Sequence, residues 1–290
     1  MPEQPRAKTN SRVFRWQSHS RLPAAGRHGP LLRVDTPLCH ALIAINGGQL
    51  LQFAPAGQPP WLWLPPGPAA GNSSRIAGGI PLCLPWFGRP ANPALPIHGY
   101  VQDRPWQLEH ADCSDGQAIC QLRFDNPPGE PGCPQAFTVR QRFVLGDTLR
   151  IELQLDNTGD RPLSLSWAWH SYFRLDDADA RISGLQQLPY LDNLAGLQVK
   201  KHYADWPAGQ PCDAVFENTR QPQQLQQQGR QLTIRGDNCP TCIVWQPGIN
   251  NQQRFVCIER GRAFADQLQL AAGQRWQAGM TIEQRTGKPH

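Results

Sequence analysis

The sequence predicts an all-β protein built as one large antiparallel β-sandwich, and three observations carry that prediction. Gly and Pro, 26 and 29 of them, recur too densely for helices of ordinary length. The clearest segments alternate apolar and polar residues with a period of two. No amphipathic helical stretch separates them, which argues against a parallel βαβ sheet. A sandwich can occupy most of a 290-residue chain as a single domain. Residues 29–290 are read as that domain and residues 1–28 as a basic, partly ordered leader.

The leader carries Arg6, Lys8, Arg12, Arg15, Arg21 and Arg27 against a lone Glu3. It lacks the apolar run of a secretory signal, and no aromatic-rich reading motif marks it as a nucleic-acid arm. Strands are then expected at Leu31–Arg33, Ala41–Phe53 and Ala136–Leu145. The strongest signal follows: Leu149, Ile151, Leu153 and Leu155 alternate with Arg150, Glu152, Gln154 and Asp156. Asn157-Thr158-Gly159-Asp160 supplies turn chemistry, and Leu163, Leu165, Trp167 and Trp169 resume the alternation, so a hairpin is expected here. The opposite face of its second strand holds Ser164, Ser166, Ala168 and His170. Such small side chains leave space above the sheet, as the floor of a groove would. The Gln-rich run 221–231 is too polar for a core strand and is expected as an exposed loop or edge. Further strands are expected at Leu232–Arg235, Cys242–Trp245 and Phe255–Arg260.

Composition narrows the function classes. Ten Trp, ten Phe and an apolar fraction of 39% suffice for a sizeable core. A net charge of +5, spread along the chain, does not mark a nucleic-acid binder. No stretch approaches the ~20 apolar residues of a membrane span, so a soluble, cytoplasmic protein is expected. The nine cysteines are odd in number, and Cys83, Cys120 and Cys257 lie in apolar runs, where thiols pack as small hydrophobes. Cys239 and Cys242 form a Cys-x-x-Cys without a second pair at zinc-ligand spacing, and are read as packing residues. Asp176, Asp177 and Asp179 lack the glycine and terminal glutamate of a calcium loop. Pro81 and the absence of a following helix rule out GGIP as a phosphate loop.

Three residues stand out chemically. His98 lies in LPIHGY, after the turn-rich segment GGIPLCLPWFGRP; ordered loops of that kind often carry a site. His170 ends a strand on its small-residue face. Glu259 ends the apolar strand FVCIE, where a carboxylate must be partnered or functional.

Taken together, INGGQLLQFAP, WLWLPP, GGIPLCLPWFGRP, LPIHGY, WAWHSYF, PCDAVF, CIVWQPG, RFVCIERG and LAAGQRW occur in the order found in one family. The chain resembles the glucose-6-phosphate 1-epimerase branch of the galactose-mutarotase-like proteins. That resemblance implies a supersandwich and interconversion of the α and β anomers of an aldose, usually a hexose 6-phosphate, without metal or organic cofactor; a monomer is expected. Position by position, it implies His170 and Glu259 as the catalytic acid and base, His98 as a sugar-site histidine and Asp213 as the aspartate holding sugar hydroxyls.

The family pattern also has an Arg where this chain has Ala77, another where it has Gln102, and usually an Asn where it has Gln246. Both arginines belong to the phosphate grip, and each charged hydrogen bond is worth roughly 1.5–3 kcal/mol. Arg75 and Arg104, each displaced by two residues, and Arg89 are the expected replacements, with Gln102 as a further substrate contact. The alternatives are an unphosphorylated aldose as substrate, or a carbohydrate binder without catalysis.

Overall fold

The computed structural model describes residues 12–17, 29–66, 75–177, 179–227, 229–248 and 254–285. Its regular secondary structure is nearly all strand, and the expected antiparallel sandwich is present. Most of the leader lies outside the described residues. Its segment Phe14–Gln17 pairs antiparallel with Leu31–Asp35 and buries Phe14 in the main core.

The two large sheets have different jobs. The outer, nine-stranded sheet runs in spatial order Trp206–Pro207, Arg181–Ser183, Gln223–Gln227, Arg230–Asp237, Arg275–Arg285, Leu149–Asn157, Phe137–Leu145, Gln117–Asn126 and Gln107–Ser114. Its strands alternate as half-buried strands must: Leu149–Asn157 buries every second side chain. On its wet face, Arg142 and Glu152 stand directly opposite and pair at 2.8 Å.

The inner sheet carries Gln198–Lys201, Pro189–Asp192, Cys212–Phe216, Thr241–Gln246, Phe255–Arg262, Trp167–Trp169 and Leu82–Cys83 in that order. Tyr172–Arg174 also pairs with Phe255–Arg262. That central strand is buried along almost its whole length, apolar at Phe255–Ile258 and polar at Glu259, Arg260 and Arg262. Between the sheets lies one core that includes Trp61, Trp167, Trp169, Phe137 and Phe143.

Three local expectations are corrected. Leu149–Asn157 and Trp167–Trp169 are not a hairpin but belong to different sheets. Between them Leu163–Leu165 pairs with Leu268–Leu270 instead. The Asn157 side chain stabilises the crossing by donating to the carbonyls of Arg161, Leu270 and Ala271. The glutamine run is likewise no loop or edge. Gln223–Gln227 is an interior strand, with Leu225 and Gln223 buried, because the Gln223 amide accepts from buried Arg260 and donates to Gln221 O. Finally, Ala41–Phe53 is two strands, Cys39–Ala44 and Gln49–Pro55, folded back at the Asn46–Gly48 turn.

Candidate active site

The backbone ladder brings His170 and Glu259 together. Trp167, Ala168 and Trp169 pair with Arg262, Gly261 and Arg260, and Tyr172 with Cys257. Continuing that register sets His170 opposite Glu259 on the face away from the core. The same face continues across Phe255–Arg262 to Ile243, and Trp245 pairs in turn with Asp213. Gly261 permits the close approach, since a Cβ there would meet Trp167 O at 2.1 Å. From behind, the Trp169 indole donates to Gln141 Oε1 of the outer sheet at 2.8 Å, locking the strand that ends in His170.

His170, Glu259, Ile243, Trp245 and Asp213 line a cavity of about 770 Å³. His170 Nε2 lies 3.4 Å from Glu259 Oε1, within ion-pair reach but long for a hydrogen bond. His170 stacks on Tyr172 with ring centroids 4.7 Å apart and stands edge-on to His98 at 5.5 Å. His170 Nδ1 and Glu259 Oε2 are buried with no hydrogen-bond partner among the described residues. Buried polar atoms seldom go unmet, so these are acceptor and donor positions suited to a ligand's hydroxyls. Burial pulls the His170 imidazole down to about 3 and, with Asp213 nearby, pushes the Glu259 carboxyl well above its usual range. Both shifts favour the neutral arrangement of carboxylic acid and imidazole when the pair shares one proton.

His98 sits across the cavity in a left-handed backbone conformation (φ 64°), rare for a non-glycine residue. Gly99 follows at φ 69°, where a Cβ would fall 1.9 Å from Leu84 O. Gly88 N–H donates to His98 Nδ1 at 3.2 Å, so the neutral ring carries its proton on Nε2. Burial, reinforced by Arg75 and Arg89, lowers this imidazole to about 4. Asp213 lines the same cavity; burial raises its carboxyl, while Asn193 Nδ2 donates to it at 2.6 Å.

The proposed cations separate. Arg75 and Arg89 line the cavity, as do Ala77 and Gln102. Arg75 is paired with Asp103, and Arg89 is exposed with no ion-pair partner among the described residues. Arg104 does not line the cavity: it pairs with Glu130 at 2.6 Å and lies over the Tyr100 ring. The offset of two residues places its guanidinium beside Glu130 instead of on the cavity wall. The cavity wall also holds Tyr172, Trp245, Asn193, Ser166 and Phe264, none singled out from the sequence as a site residue. Ser166 and Tyr172 had a signal, one on the small-residue face and the other within HSYF. Cys239 and Cys242 are buried free thiols away from this wall, with Cys239 Sγ 3.4 Å from Gly279 O. Among the described residues, no three His, Cys, Asp or Glu side chains gather as a metal set.

A family model described as aldose 1-epimerase matches residues 30–283. An Escherichia coli K12 protein named "Putative glucose-6-phosphate 1-epimerase" is 34% identical over 157 residues, 53% of this chain and 52% of that protein. The chain thus spans about half the length of that relative in the match. A Cenchrus ciliaris protein of the same name is 25% identical over 276 residues, covering 84% of this chain and 81% of its own. Among solved structures, one titled a "putative mutarotase" from Salmonella typhimurium superposes with a TM-score of 0.82 at 24% identity, over 95% of both chains. That last likeness is one of fold.

Proposed function

Because this chain belongs to the aldose 1-epimerase family, we propose that it is an isomerase interconverting the α and β anomers of a hexose 6-phosphate. The observation that carries the chemistry is the buried His170–Glu259 pair, 3.4 Å apart on a cavity wall. In the reactive state the proton shared by the pair sits on His170; Glu259 then takes the proton of the anomeric hydroxyl while the C1–ring-oxygen bond breaks and His170 protonates the ring oxygen. The free aldehyde turns about its C1–C2 bond. The former ring oxygen then attacks the other face of C1, returning its proton to His170 as Glu259 reprotonates the anomeric oxygen.

Ring opening converts carboxylate and imidazolium into carboxylic acid and imidazole. Burial favours that second state, so the site's electrostatics support the opened sugar rather than the closed one. His98 Nε2–H and Asp213 hold sugar hydroxyls, which makes the proton transfers effectively intramolecular. The 6-phosphate is supported by the names of the relatives and by Arg89 on the cavity wall. A neutral aldose is the second reading, favoured by the neutralisation of Arg75 by Asp103 and by Ala77.

Polarimetry on freshly dissolved α-glucose and α-glucose 6-phosphate tests both readings. Faster equilibration of the ester, with a preference over glucose of at least tenfold, supports the first. Glu259→Gln and His170→Asn should each lower turnover by about 10²–10⁴-fold, and the double variant should be little worse than the poorer single. Binding without acceleration would sink the enzymatic reading.

A further inference from the structure

Three consecutive backbone carbonyls around His98 are each capped by a side-chain donor. Arg75 Nη1 donates to Ile97 O at 2.5 Å, and Arg75 Nη2 to Gly99 O at 2.6 Å. Between them, Gln102 Nε2 donates to the carbonyl of His98 itself at 3.1 Å. The remaining face of the Arg75 guanidinium meets Asp103, whose oxygens accept from Nε at 2.9 and 3.1 Å. On the other side, His98 N–H donates to Gly88 O at 2.8 Å and Gly88 N–H donates to Nδ1. A left-handed, non-glycine residue persists only where its surroundings over-determine it. Here they do, through five hydrogen bonds.

We infer that Arg75, oriented by Asp103, and Gln102 are positioning residues that hold His98 in its pocket-facing conformation, and that neither serves as the grip for an anionic substituent. The inference deepens the anomerase reading and rests on it. Arg75 suits the task because a rigid fork can meet a carboxylate and two carbonyls at once, which an ammonium cannot. Its charge is balanced by Asp103 before any substrate arrives. Gln102, neutral, supplies the one donor the middle carbonyl needs.

The test compares Arg75→Ala, Arg75→Lys and Gln102→Ala with the wild type, using α-glucose and α-glucose 6-phosphate. Arg75→Ala should lower kcat at least tenfold on both sugars, leave their efficiency ratio within threefold of wild type, and not be rescued by Lys. In parallel, ¹⁵N NMR of histidine-labelled protein should find His98 protonated on Nε2 in the wild type and averaged between tautomers in Arg75→Ala. Should Arg75→Ala fail to fold, Gln102→Ala, which removes a single bond, is read by the same two measurements. A loss confined to the phosphate ester, full activity in Arg75→Lys, or an unaltered His98 tautomer would each overturn the inference. If the wild type accelerates neither sugar, the anomerase reading falls while the NMR comparison still decides the positioning role.

Discussion

Glu259 and His170 are costly residues to bury, and their cost has a sign. The Glu259 carboxyl is raised in the folded protein, so its favourable contribution is complete below the unfolded value of 4.5 and is lost as pH rises through the folded value. Glu259→Gln should therefore raise the thermal midpoint by several degrees at pH 7, and the gain should vanish below pH 4.5; scanning calorimetry at the two pH values checks it. His170 is lowered from 6.5 to about 3, so its contribution is complete above 6.5 and fades as pH falls towards 3, at roughly 1.4 kcal/mol per unit. Activity should resist acid better than an ordinary histidine allows. With His98 neutral above about 4 and His170 above about 3, kcat/KM on glucose, which has no phosphate to titrate, should stay within twofold from pH 7 down to pH 5. A limb near 6.5 in the measured profile would contradict that. Both residues were legible in the sequence because each broke a local rule: a carboxylate in an apolar strand, and an imidazole on a face of small residues. The partner of Arg75 was not, since Asp103 meets it through space from the short 3-10 turn Val101–Asp103.

At the level of elements, the ladder itself sets how His170 and Glu259 face each other. Gly261 makes the strand contact possible, and Gly261→Ala would press a methyl to 2.1 Å from Trp167 O and 2.6 Å from Ala168 Cα. Overpacking of that kind costs about 1–3 kcal/mol. The urea midpoint and turnover should therefore fall together, although Gly261 lies two residues from Glu259; wild-type turnover in a stably folded variant would refute the ladder argument. Strand content was readable from periodicity, as at Leu149–Asn157. Strand partnership was not. The turn chemistry of Asn157-Thr158-Gly159-Asp160 is local, whereas membership of a sheet is decided by what Asn157 finds across the molecule, at Leu270 and Ala271. The glutamine strand misled for a related reason: buried amides read as surface until their partner, Arg260, is in place.

Taken as a whole, the molecule buries one principal core shared by both sheets, with cysteines as filler within it. Its nine cysteines are free thiols, so dithiothreitol should leave the thermal midpoint and activity unchanged, and a strong chelator should do the same. A shared core also predicts one cooperative transition, with far-UV circular dichroism and tryptophan fluorescence coinciding along a urea titration. Separated midpoints would show that the sheets unfold independently. The order of the outer sheet has a further consequence, for synthesis. Arg275–Arg285 lies between Arg230–Asp237 and Leu149–Asn157, so it is the seam that joins the two halves of the nine-stranded sheet. Until the ribosome releases it, a nascent chain carries two half-sheets with facing unpaired edges, the hazard that chaperones exist to cover. His170 leaves the ribosome about 90 residues ahead of Glu259, roughly 5–20 seconds earlier at typical elongation rates. A chain stalled before residue 275 should therefore be inactive and captured by chaperones, and release of the last strand should close the sheet and start turnover together.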